Sequence, residues 1–181
     1  MENPTTLLVA LMFITILTLG IASILVQLAE FIQSAEGRPK DRLVLGWLLL
    51  LLFAYFDLFW RTMDIALLEE WRFHLFLFAE TGPVLLLFAT QIAIGGATAD
   101  SQTDTSVALR DRSFFWIFAL VQLWGILAGF VLGAGFTLLS GLAAIIAGIC
   151  VVLASTNRRR VHTLGLACVS LLYVAGAIVG N

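Results

Sequence analysis

The sequence predicts an all-α fold: a polytopic integral membrane protein of six transmembrane helices, with both termini on the outer side (N-out, C-out). Three observations carry that expectation: an excess of apolar residues, six apolar runs that can each cross a bilayer, and basic residues gathered on alternate connections. Hydrophobic residues make up 61% of the 181 and charged residues 12%, with a mean hydropathy of +1.03. Soluble domains carry roughly 45–50% apolar and about 25% charged residues, and no soluble fold hides the excess. A hydrocarbon core takes about 20 helical residues per pass, so a single six-helix transmembrane domain fills residues 1–181. Strands are not expected, because an open sheet edge in lipid leaves backbone groups unpaired and no run alternates as barrel strands do.

Cutting the apolar runs at polar clusters gives segments of about 5–32, 43–63, 73–94, 113–133, 136–155 and 161–180. The first begins directly after Met1-Glu2-Asn3-Pro4, lacks a basic leader and is too long for a signal-peptide core, so it reads as a retained helix. The fourth and fifth nearly touch. As one helix they would run roughly 60 Å, about twice the hydrocarbon thickness, so the chain is expected to reverse at Gly133-Ala134-Gly135.

Arg38, Lys40 and Arg42, then Arg110 and Arg112, then Arg158, Arg159 and Arg160 sit on alternate connections, leaving only Arg61 and Arg72 opposite. The positive-inside rule places the three richer loops in the cytoplasm. Trp47 and Trp116 then fall near the inner interface and Trp60 and Trp71 near the outer one, as aromatic belts do.

Segments one to three are rich in Leu and Phe and hold the intramembrane charges, whereas four to six are rich in Gly and Ala. Gly125, Gly129 and Gly133 recur every four residues, with Gly141 and Gly148 and then Gly176 and Gly180 beyond them. Small residues at that spacing let helices approach closely, either within one chain or against a second copy or a membrane partner. Three helices followed by three also place the halves in opposite topologies, as in inverted-repeat transporters, although the halves share no sequence similarity.

The polar centre is expected around Asp57, Arg61, Asp64 and Glu80. The first three lie at i, i+4 and i+7, on one helical face. At 1.5 Å per residue, Asp57 lies roughly 10 Å below the outer surface and Glu80 roughly 10 Å down the third segment, so the two carboxylates are expected to flank Arg61, whose planar fork suits both. Two readings are open: an ion pair stitching helix two to helix three, or a site at which one carboxylate titrates or binds a cation. Glu80-Thr81-Gly82-Pro83 bears on the second, since Pro83 cannot bond the carbonyl of Ala79 and a freed carbonyl beside a buried Glu suits a cation. A plain structural kink is the alternative.

Gln122 lies roughly 14 Å into the fourth segment, near the midplane and close to Trp124, where a glutamine usually bonds across to another helix. His74 follows Glu70 by four residues, but two ligands do not make a metal site. His162 falls at the opposite membrane edge, which argues against a bis-histidine haem. Gln27, Glu30 and Gln91 mark the inner ends of segments one and three. Cys150 and Cys168 lie in apolar runs without a CxxC partner, so no disulfide framework or thiolate zinc site is expected. Hydrolase, zincin, Walker A and dinucleotide motifs do not occur, and no cofactor or catalysis is expected. The net charge of -2 and the dispersed basic residues do not suit nucleic acid.

Phe59-Trp60, Trp71-Arg72-Phe73 with Phe76 and Pro83, and Arg112-Ser113-Phe114-Phe115 form a pattern over roughly residues 50–120. It resembles uncharacterised bacterial multi-pass integral membrane proteins. The resemblance implies a bacterial inner-membrane location and no particular activity. The sequence therefore leaves two functional readings, a small ion- or proton-linked transporter or channel-like unit, and a non-catalytic scaffold or accessory subunit packing through its Gly-rich helices.

Overall fold

A computed structural model of the chain describes residues 4–33, 42–65, 71–98, 112–131 and 137–179, with the side chains of 4–6, 61–65 and 96–98 outside the description. Six α-helices run in the order α1 (Pro4–Gln33), α2 (Arg42–Ile65), α3 (Phe73–Thr98), α4 (Arg112–Val131), α5 (Leu138–Ser155) and α6 (Arg159–Val179). All six are long and apolar enough to cross a membrane, and the described residues contain no strand. The chain is thus an all-helical, multi-pass membrane protein by length and composition. The 30 residues of α1 rise about 45 Å, more than the hydrocarbon core, whereas the 18 of α5 rise about 27 Å and barely cross it.

The ends of the helices follow from local chemistry. Thr137 caps α5, accepting a hydrogen bond from the Ser140 amide while Ser140 reaches back to the Thr137 amide, so two otherwise unpaired donors at the helix start are satisfied reciprocally. This cap starts α5 at Leu138 rather than at the expected residue 136. The glycine turn expected at Gly133-Ala134-Gly135 lies outside the described residues, yet α4 and α5 pack closely along each other on either side of it.

The helices form a ring, α1–α3–α4–α5–α6–α2, with α2 and α3 also touching across it. Within this ring α2, α4 and α6 run parallel. Phe115 meets His162 and Gln122 meets Tyr173; likewise Gly46 faces Leu166 and Phe53 meets Tyr173. Paired residues advance together along each helix, so these three helices have their N-termini at one end of the molecule. That end is filled by aromatic rings: Trp47 stands edge-on to Phe114, Phe115 and Phe118, with centroids 5.6, 5.3 and 6.5 Å away. Such edge-to-face pairs contribute about 0.5–1.5 kcal/mol each beyond area burial.

Trp47 therefore departs from the expectation that it anchors the interface. It is 1% exposed, inside the core, while Trp60 and Trp116, at 66% and 51%, lie on the outer surface. Position along a helix sets the level of a tryptophan; the side of the helix decides whether it meets lipid or protein.

Candidate functional site

The site is built on the third helix, where Gly82 and Pro83 interrupt the backbone pattern but α3 continues through them. Proline has no amide hydrogen and its ring crowds the carbonyl four residues back, so the Ala79 carbonyl loses its usual donor. At the residue directly before it, Trp124 of α4 donates its indole N–H to the Phe78 carbonyl at 2.8 Å. A Cβ at Gly82 would collide with the Trp124 ring, so the absence of a side chain there lets the indole lie on the α3 backbone. Gly82 thus matters for close approach, and Trp124 fastens α4 to α3 at the interruption. Trp124 is twelve residues beyond Arg112, about 18 Å along α4, which places this junction well inside the apolar layer.

Glu80 sits in the same turn. It is 6% exposed, and neither carboxyl oxygen finds a hydrogen-bond partner among the described residues. Thr81 directs its hydroxyl to the Leu77 carbonyl at 2.8 Å, along its own helix. A polar group removed from water without a partner costs roughly 1–3 kcal/mol, and a charged one more. Ionisable residues kept in membrane helices at such a cost are candidates for ligand or proton paths.

The expected cluster is only partly on view. Asp57 is half-buried on α2 and is engaged in an interaction; Arg61 and Asp64 lie in α2, but their side chains fall outside the description. Among the described residues, no hydrogen bond joins Glu80 to α2. A polar contact between α2 and α3 among the described residues involves Tyr55, whose hydroxyl lies 3.1 Å from Thr90 Oγ1. Thr90 directs its single proton to the Leu86 carbonyl at 2.9 Å, which makes Tyr55 the donor to Thr90. Gly20 of α1 completes this node, because a Cβ there would strike the Tyr55 ring.

Gln122 behaves as its depth suggests, donating from Nε2 to the Tyr173 hydroxyl across to α6 at 2.7 Å. His74 is exposed at the start of α3, and Glu70 lies outside the described residues. No group of three or more His, Cys, Asp or Glu converges among the described residues. Gln91 reaches Ser23 of α1 at 3.4 Å, and Glu30 is exposed near the end of α1. His162 is buried at the α5–α6 turn; its Nε2 bonds the Thr156 carbonyl at 2.8 Å, so Nε2 carries the proton and Nδ1 is left buried without a partner among the described residues.

The glycines divide into two kinds. Gly20, Gly46, Gly82 and Gly165 are seats for Tyr55, Leu166, Trp124 and Leu153, whereas a Cβ at Gly125, Gly141 or Gly148 would meet nothing within 4 Å. Close packing inside the chain thus uses isolated glycines under large side chains, and the glycine repeat that begins at Gly125 is not used that way there.

Sequence reasoning missed Tyr55, Thr90 and the Trp124–Phe78 bond. One signal was available: an indole N–H in the middle of an apolar helix needs an acceptor, and a turn disrupted by proline offers carbonyls. Fold and site together define a six-helix membrane protein with a buried carboxyl, without a hydrogen-bond partner among the described residues, at an interrupted helix turn. No protein-family model matches the chain, and no match is found among curated proteins or solved structures.

Proposed function

We propose that the chain is a small ion- or proton-linked transporter or channel-like unit in which Glu80, at the interrupted turn of α3, exchanges a proton or a cation. The buried Glu80 carboxyl, neither oxygen of which has a hydrogen-bond partner among the described residues, carries this reading. Pro83 supports it by removing the in-helix donor of a neighbouring carbonyl, as in broken transporter helices. No catalytic step or cofactor is part of the proposal. In the orientation proposed, the connections holding Arg38, Arg110 and Arg158 face the cytoplasm, on the strength of the basic-residue distribution. The bacterial inner membrane is the location that the resemblance implies.

The test is flux in reconstituted vesicles with imposed proton and monovalent-cation gradients. Wild-type protein should carry flux that depends on pH, and Glu80→Gln should lose it while remaining folded. Unchanged flux in the variant would remove Glu80 from the mechanism, and absence of flux in both would leave the scaffold reading. That second reading is favoured by the open Cβ positions at Gly125, Gly141 and Gly148, which leave room for a partner helix. It predicts a co-purifying membrane partner that is lost when Gly125 and Gly129 are enlarged.

A further inference from the structure

Because α2, α4 and α6 are parallel, their N-terminal residues gather on one face. Phe115 of α4 packs on the His162 ring of α6 at 5.1 Å, and each stands three residues beyond an arginine, Arg112 on α4 and Arg159 on α6. The two arginines are therefore at one level on neighbouring helices. Arg112, Arg158, Arg159 and Arg160 are all exposed.

Four of the ten basic residues gather here; the sequence holds no Asp or Glu from Arg112 to Asn181, and Asp111 directly precedes Arg112. The start of α6 adds to the positive potential instead of relieving it. Arg158 occupies the N-cap position, its carbonyl accepting the amides of Val161 at 2.9 Å and His162 at 3.3 Å. Its guanidinium has no acceptor to offer the first helical amides, unlike the Thr137 hydroxyl at the start of α5. Helix N-termini also carry partial positive charge. The connection that presents these side chains is short and held in place, since the His162 ring ties the Thr156 carbonyl across the turn.

We propose that Arg112 and Arg158–Arg160 form a docking surface for the phosphate of an anionic phospholipid. Guanidinium groups match phosphate oxygens in two-point contacts, and basic residues at the edge of a membrane span lie at headgroup level. Exposed Trp116, one turn beyond Arg112 on α4, occupies the depth that indoles favour beside headgroups. The site is independent of the role assigned to Glu80.

Protein purified in neutral detergent is mixed with equal amounts of phosphatidylglycerol and phosphatidylcholine, and bound lipid is read by native mass spectrometry at low salt. Wild-type protein should retain phosphatidylglycerol preferentially. Each arginine of the cluster changed to glutamine should lower that preference about fivefold, with R158Q/R159Q/R160Q approaching the zwitterionic lipid. Arg72→Gln, at the opposite end of the molecule, should leave it unchanged. If the triple variant is not recovered folded, single variants Arg112→Gln and Arg160→Gln give the same reading. Equal retention of the two lipids by wild-type protein, or full preference in folded cluster variants, would overturn the proposal. So would displacement of the lipid by equimolar inorganic phosphate, which would make this a site for a soluble anion.

Discussion

Substituting alanine for glycine at two positions should have opposite effects, because the space beside the two glycines differs. At Gly82 an added Cβ would lie 2.6 Å from Cη2 of Trp124 and closer still to two other ring atoms. The indole cannot slide away freely, since its N–H is bonded to Phe78. Overpacking of this kind costs about 1–3 kcal/mol, and loss of the interhelical hydrogen bond adds about 0.6 kcal/mol. The intrinsic helix preference for Ala over Gly offsets up to about 1 kcal/mol, leaving Gly82→Ala destabilising by roughly 1–3 kcal/mol. At Gly125 nothing lies within 4 Å, so Gly125→Ala should be neutral or stabilising by up to about 1 kcal/mol. Unfolding in mixed micelles titrated with sodium dodecyl sulfate, followed by circular dichroism, measures both. Adding Trp124→Leu should recover part of the Gly82→Ala loss by removing the obstructing ring. If Gly82→Ala proved as stable as Gly125→Ala, the close seating of Trp124 on α3 would be wrong, and with it the geometry of the interrupted turn.

Glu80→Leu should leave the unfolding free energy unchanged or raise it by on the order of 1 kcal/mol, because an unpaired buried polar group is replaced by an apolar one; a clear loss in the same titration would reveal a stabilising partner. A double-mutant cycle of Tyr55→Phe and Thr90→Val should give a coupling of about 0.6 kcal/mol, the average for interhelical hydrogen bonds in membranes, and zero coupling would dissolve the α2–α3 node. Gln122→Leu with Tyr173→Phe should couple to a similar extent in the same assay, while Gln122→Leu with Tyr55→Phe should be additive, since the two bonds share no residue.

The number and limits of the helices were legible because polar clusters punctuate the apolar runs, and hydrocarbon allows no alternative to helix between them. The residual error is at an end: α3 extends to Thr98 rather than 94, where caps decide and apolarity does not. Of the candidate site, Glu80, Pro83 and Gln122 stood out because polar or proline residues in an apolar run are conspicuous. Tyr55 did not, as a tyrosine among leucines and phenylalanines looks like ordinary core, and its meaning comes from Gly20 and Thr90 on two other helices. Periodicity states which face of a helix is buried but not which neighbour covers it. That also explains Trp47, whose level suited an interfacial belt while its direction led into the phenylalanine cluster.

The placement of the indoles turns the chain into its own optical probe. Quenchers carried on lipid tails can touch Trp60 and Trp116, which face outward, but not Trp47, which is walled in by phenylalanine rings. Emission from a folded sample therefore contains a fraction that bilayer-borne quenchers darken and a fraction, from Trp47 and the buried Trp124, that they leave bright, and loss of the bright fraction signals opening of the bundle.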